Sequence, residues 1–217
     1  MIKMVAFDLD GTIAETIPMC IEVFKRAVLP YTQRMLSKEE VVNTFGLNEE
    51  GMINKVVTDH ISAQDALKNY HNLYAQMHHL CEKPFPYIRQ LFDNLKQKDI
   101  ILAMVTGKGA ESCEISLQKF DLKHYFVTVK TGSKHCTNKA VSLAELLLKY
   151  QLKPNEIIYV GDTVSDVHAC NEVGIKCLSV AWAESAIVED LRAINPDHVY
   201  ETVQLAEEYI FSLINEK

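Results

Sequence analysis

Five short runs of this chain are almost continuously apolar, at Met4–Phe7 and at residues 100–105, 126–129, 157–160 and 177–180. A strand with one wet face alternates apolar and polar residues. Unbroken apolar strands are expected where a parallel sheet is covered on both faces. Helical patterns separate the last four runs, over 109–120, 138–150 and 164–173, and Leu143, Leu146, Leu147 and Tyr150 form one apolar stripe. This alternation predicts an α/β fold, a Rossmann-like open parallel sheet flanked by helices and wound through right-handed crossovers. A sixth run, 198–200, adds an edge strand before a last helix from about Thr202 to Leu213.

The crossover from the first strand to the second is the exception, because Asp10 and Ile100 are separated by several ordinary crossovers of chain. That stretch carries its own helix signals: Pro18 near a first turn, Ser37-x-x-Glu40 and Ser62-x-x-Asp65 as capping boxes, and Asn48 as a cap. Residues 14–83 therefore read as an inserted α-helical cap, and residues 1–13 and 84–217 as the α/β core. Lys83-Pro84-Phe85-Pro86 reads as the return linker and 86–98 as a helix leading back into the sheet.

Polar clusters fall where strands end. The first strand runs into Asp8-Leu9-Asp10-Gly11-Thr12, the second into Thr106-Gly107, and the fourth into Gly161-Asp162-Thr163-Val164-Ser165-Asp166. In open α/β sheets the ligand crevice lies outside the carboxyl ends of the strands. Asp8, Asp10, Asp162 and Asp166 would bring four negative charges into one crevice, which demands a cation or raised pKa values. Oxygen ligands alone favour a hard divalent ion, and Mg²⁺ is the expected cofactor because it keeps waters and binds phosphate oxygens. As mere caps of turns and helix starts, single aspartates would need no ion; the set is harder to explain that way.

Thr106, Gly107 and Lys139 supply the opposite chemistry. Thr106 offers a hydroxyl, Gly107 lets a main-chain N–H approach a ligand at a helix start, and Lys139 places a cation at a helix N-terminus, where it does not help the helix. A lysine there pairs with a carboxylate or a phosphate. Lys134 competes for this role, and Lys139 has the better spacing to the fourth strand. These local devices matter because 22 Lys+Arg against 29 Asp+Glu leave a formal charge of -7, which offers no global field for a nucleic acid polymer or an anionic membrane. No apolar run is long enough to span a bilayer. The six cysteines are scattered without a C-x-x-C pair and read as reduced thiols. A cytoplasmic protein acting on a small phosphorylated metabolite is the expectation, with its oligomeric state open.

In this order the clusters resemble those of the haloacid dehalogenase superfamily, specifically its helical-cap phosphatases of the phosphoglycolate-phosphatase-like branch. The likeness rests on Phe7-Asp8-Leu9-Asp10-Gly11-Thr12, Val105-Thr106-Gly107-Lys108, Lys139 and Val160-Gly161-Asp162-Thr163-Val164-Ser165-Asp166. It implies Asp8 as a nucleophile forming an aspartyl-phosphate and Asp10 as general acid and then base. It also implies Thr106 and Lys139 on the transferring phosphoryl group. Mg²⁺ would be held by Asp8, the main-chain carbonyl of Asp10 and Asp162, with Asp166 in support. An acid at position 10 argues against the superfamily's dehalogenases and phosphonatases. The implied activity is hydrolysis of small phosphomonoesters: phosphoglycolate-like esters, sugar phosphates or nucleotides. A phosphomutase or pyrophosphatase of the same fold, or a non-catalytic binding protein retaining it, are the alternatives.

Two departures bear on the substrate: Ala140-Val141 follows Lys139 where many relatives have Pro-x-Pro, and Ala183 follows Trp182 where relatives often have glycine. In the insert, His71, His78 and His79 read as solvent-facing, and the pairs Glu39-Glu40 and Glu49-Glu50 as solvated first turns of helices. Glu15, Thr16, Met19 and Cys20, just past the first cluster, are expected to contact the leaving group.

Overall fold

The computed structural model describes residues 1–215. Its centre is a six-stranded parallel sheet: β1 Met4–Phe7, β2 Ile101–Val105, β3 Thr128–Lys130, β4 Ile157–Gly161, β5 Lys176–Val180 and β6 Val199–Tyr200, in the order β3-β2-β1-β4-β5-β6. The doubly wound α/β fold expected from the apolar runs is present, and its order reverses between β1 and β4, where such sheets open a ligand crevice. Both faces are covered. Val5 and Phe7 of β1 point into one apolar cluster with Leu91, Phe92 and Leu178, whereas Met4 and Ala6 point into a second with Leu143, Leu146 and Val167. That two-sided burial is why β1 contains no polar residue.

The core helices are α5 Ile88–Gln97, α6 Ala110–Lys119, α7 Lys139–Tyr150, α8 Val164–Val173, α9 Val188–Ile194 and α10 Val203–Asn215. Between β1 and α5 come α1 Ile17–Thr32, α2 Lys38–Val42, α3 Glu49–Val56 and α4 His60–Met77. On α1 the buried positions include Cys20, Phe24, Ala27 and Val28, and on α4 they are Ala63, Ala66, Tyr70, Tyr74 and Met77, so each helix lays one stripe against the other. Phe24 meets Tyr70 edge-on and Tyr70 stacks on Tyr74. Among the described residues no helix is long and apolar enough to cross a membrane.

Local chemistry sets the helix starts. Pro18 sits in the first turn of α1, Ser37 and Glu40 form a reciprocal capping box on α2, and Asn48 caps α3 by accepting the Gly51 N–H at 3.0 Å. The cap of α4 differs from the expected Ser62-x-x-Asp65 box: Asp59 accepts the Ser62 N–H at 2.8 Å, and the helix begins at His60. A carboxylate three residues before Ser62 meets the free N–H groups of the first turn earlier than the serine can. β3 begins at Thr128 rather than Phe126, because Lys123–Tyr125 close a short 3₁₀ turn first. His78 is also corrected. It is buried, with Nε2 3.2 Å from the Ser116 hydroxyl and its ring against Phe120, so it joins α4 to α6 instead of facing water.

Candidate active site

At the end of β1 the Asp8 N–H still donates to the Val160 carbonyl at 2.9 Å, after which the chain leaves the sheet. Gly11 turns it with φ of +75°, and a β-carbon there would sit 2.1 Å from Asp162 Oδ2. Asp8 is therefore fixed by sheet pairing, and the turn that follows is pressed against the aspartate ending β4. Thr12 completes the contact by donating its hydroxyl to Asp162 Oδ1 at 3.0 Å. Gly11→Ala combines a left-handed backbone, which costs a non-glycine residue about 1–3 kcal/mol, with displacement of Asp162. The expected outcome is a lower melting temperature, read by thermal denaturation.

Asp8, Asp162 and Asp166 are all buried, and ligand-capable oxygens of the three lie within 4.8 Å of one another. Lys139, the first residue of α7, reaches them: its Nζ donates to Asp8 Oδ2 at 2.5 Å and also to Asp166 Oδ1. Asp8 Oδ1 accepts the Leu9 N–H at 2.7 Å. Asp166 is held on every side, with Oδ1 also accepting the Tyr159 hydroxyl at 3.2 Å and Oδ2 accepting the Thr163 N–H at 3.0 Å and the Thr163 hydroxyl at 2.7 Å. Lys134, the competing lysine, pairs with Glu50 instead, at 2.8 Å.

Three carboxylates against one ammonium leave negative charge in a buried place. Burial drives the Asp162 carboxyl well above the ordinary range, and the charges of Asp8 and Asp166 push it further. Burial likewise raises Asp8, against the pull of Lys139. For Lys139 burial works the other way, and the attraction of Asp166 and Asp8 outweighs it, so the ammonium is stabilised. A hard divalent cation fits this arrangement: the donors are all oxygen, the charge is uncompensated, and the absence of a side chain at Gly11 leaves the Asp162 carboxylate its room.

Thr106 lies just past β2 and is buried, its hydroxyl accepting the Lys108 N–H at 3.2 Å. Gly107 has open space where a β-carbon would stand, and it faces a cavity of about 410 Å³ shared with Asp8, Asp10, Lys139 and Asp162. Gly107 is not itself at a helix start as expected from sequence; α6 begins three residues later, at Ala110. The neighbouring loop is Gly132, where a β-carbon would be 1.9 Å from the Gly107 carbonyl oxygen. That close approach of two loops at the Thr106-Gly107 turn has no signature in the sequence.

Asp10, two residues past Asp8, lines the same cavity outside this cluster. One carboxylate oxygen accepts the Thr16 hydroxyl and lies 3.1 Å from Lys108 Nζ. Of the four residues expected to meet a leaving group, Cys20 alone lines the cavity. Thr16 holds Asp10, Met19 is buried in the apolar cluster, and Glu15 accepts the Glu184 N–H at 2.8 Å. Trp182 donates its indole N–H to the Thr12 carbonyl at 2.9 Å and so braces the same turn from the other side. Glu49 is the largest departure from expectation. It is buried rather than solvated, accepting the Gly109 N–H at 2.7 Å and the Ser112 hydroxyl. Lys108 and Glu49 are the site residues that the sequence pattern missed. Lys108 had a signal in its place directly after Thr106-Gly107, and Glu49 had none.

The family model for haloacid dehalogenase-like hydrolases matches residues 5–180. Phosphoglycolate phosphatase of Vibrio parahaemolyticus is 26% identical over 213 residues, covering 93% of each chain. Pyrophosphatase PpaX of Bacillus mycoides is 24% identical over 200 residues, covering 91% of this chain and 92% of its own. Among solved structures, a haloacid dehalogenase-like family hydrolase from Streptococcus pneumoniae superposes with a TM-score of 0.76 at 22% identity, covering 96% of this chain and 98% of its own. At that identity the superposition speaks for the fold alone.

Proposed function

This chain belongs to the haloacid dehalogenase-like hydrolase family, and from that premise we propose that it is a Mg²⁺-dependent phosphatase of small phosphomonoesters working through an aspartyl-phosphate on Asp8. The observation that carries this reading is Asp8 held between the Leu9 N–H and Lys139 and clustered with Asp162 and Asp166, in a cavity that Thr106 and Asp10 also line. Phosphoryl transfer asks a protein mainly for positioning and charge stabilisation, and this set offers both. Residues 14–83 serve as the cap over the core formed by 1–13 and 84–217.

In the first step an Asp8 carboxylate oxygen forms a bond to phosphorus while the bond from phosphorus to the leaving oxygen breaks. Asp10 gives its carboxyl proton to that oxygen, so the product leaves as a neutral alcohol. In the second step water attacks phosphorus, its proton passes to the Asp10 carboxylate, and the phosphorus–oxygen bond to Asp8 breaks, restoring the carboxylate. Thr16 and Lys108 keep Asp10 aimed at the leaving side. Thr106, the Gly107 N–H and Lys139 hold the transferring phosphoryl oxygens. Asp8, Asp162 and the main-chain carbonyl of Asp10 would hold Mg²⁺, which when bound supplies positive charge to phosphoryl oxygens. Asp166, with both oxygens engaged, supports this set by fixing Lys139 rather than by ligation.

Hydrolysis of an aryl phosphate tests the reading directly. Turnover should fall at least about 100-fold on chelation of divalent ions and return with added Mg²⁺. Activity indifferent to chelation would overturn the metal assignment, and no phosphate release from any phosphomonoester would overturn the function.

A further inference from the structure

The same cavity is lined by a second charged cluster, built around Lys108. The Lys108 side chain is 2% exposed, with its ammonium 3.1 Å from Asp10 Oδ1 and 3.9 Å from Glu49 Oε1. It donates to the Cys20 sulfur at 3.3 Å and lies 4.7 Å from the centre of the Tyr74 ring. Burial pushes the Cys20 thiol up to about 12 and raises the Tyr74 phenol, so both are uncharged neighbours at neutral pH. Glu49 comes from the insert, sixty residues away in sequence from the Gly109 N–H it accepts. Apart from Asn48, which caps α3, the other side chains on the insert side are apolar or aromatic: Ile17, Phe45, Leu47, Met52 and Tyr70.

A second anionic group on a substrate is held most firmly by a cation that is not already committed. Among the described residues lining the cavity, the ammoniums are those of Lys108 and Lys139, and each already faces two carboxylates. A carboxylate or second phosphate brought to Lys108 would meet Glu49 and Asp10 as well, a cluster whose balance is negative while Asp10 is ionised. An uncharged, hydroxylated or apolar body meets no such opposition, and a cavity of about 410 Å³ lies within the roughly 300–1,000 Å³ of ordinary small-molecule sites.

We propose that this site selects phosphomonoesters whose leaving alcohol carries no second anionic group, and that Glu49 determines this specificity by withholding Lys108. The inference rests on the phosphatase reading above. It separates the chain from the substrates named for its relatives, since glycolate carries a carboxylate and pyrophosphate a second phosphate. It equally disfavours a mutase that must seat a bisphosphate. Neutral leaving groups such as a monosaccharide or a nucleoside remain.

The test compares two esters of equal carbon length, 2-hydroxyethyl phosphate and 2-phosphoglycolate, in the full chain with Mg²⁺, beside an aryl phosphate. The expected kcat/KM is at least tenfold higher for the hydroxyethyl ester. Should both turn over slowly, the same ratio is expected in their inhibition constants against the aryl phosphate. Glu49→Gln keeps one oxygen to accept the Gly109 N–H and turns its amide N–H₂ to the Ser112 hydroxyl, which can accept as well as donate; it removes the charge and should shift the ratio at least tenfold toward phosphoglycolate. A wild-type preference for phosphoglycolate, or a ratio unmoved in E49Q, overturns the inference and leaves the phosphatase standing. Failure to hydrolyse the aryl phosphate and both esters overturns the phosphatase reading and the inference with it. The wild-type ratio decides the question even if E49Q does not fold.

Discussion

Asp8→Asn is expected to lower turnover by at least about 10⁴-fold while leaving the melting temperature unchanged or raised. The loss of turnover follows from chemistry, since an amide oxygen neither attacks phosphorus as a carboxylate does nor carries charge to a divalent ion. The stability half follows from electrostatics. Asp8 is one of three carboxylates buried around one ammonium, and its own carboxyl is raised by burial despite Lys139. An isosteric neutral group removes a charge that the fold accommodates poorly, and Lys139 keeps Asp166 as its partner. The amide oxygen introduced by the substitution would still accept the Leu9 N–H, so the turn after β1 is preserved. Phosphate release from an aryl ester and a thermal melt read the two halves separately. A variant with full turnover removes Asp8 from the mechanism. A variant that loses both turnover and several degrees of melting temperature shows instead that Asp8 acts as structural cement.

The sheet and the gathering of aspartates at its edge were legible in sequence for one reason: the information is local. Unbroken apolar runs report two-sided burial, and an aspartate directly after such a run is delivered to the crevice whatever the rest of the chain does. Lys139 was legible for a related reason, because a cation at a helix start is unfavourable unless something else binds it. Legibility fails where a residue's surroundings come from distant chain. Glu49 at the first turn of α3 has a sequence context indistinguishable from that of Glu50, yet Glu50 meets Lys134 at the surface while Glu49 enters the core to bind Gly109 and Ser112. Nothing in 49–50 says which acid will find an unpaired N–H group on α6. His78 is the same case, buried by Ser116 and Phe120. Both residues join the stretch between β1 and α5 to α6 and its N-cap, where contacts between segments distant in sequence set the surroundings of each side chain.

Lys139→Met should destabilise the protein by about 3–5 kcal/mol, the range for removing one partner of a buried ion pair. In a chain of this size that lowers the melting temperature by roughly 10 °C. Turnover should be lost as well, because nothing then orients Asp8 or meets the phosphoryl oxygens from α7. The methionine replaces the lysine stem closely, so the loss reflects charge more than packing. The decisive comparison is the double variant with Asp8→Asn. In K139M, Asp8 and Asp166 are left buried without their common cation; Asp166 keeps Tyr159 and Thr163, whereas Asp8 keeps only a main-chain N–H. Neutralising Asp8 should therefore recover about 1–3 kcal/mol, making the double variant more stable than K139M alone. Urea denaturation of wild type, both single variants and the double variant yields this coupling directly. Additive effects would mean that Lys139 stabilises the fold through Asp166 alone, and that its contact with Asp8 belongs to catalysis rather than to folding.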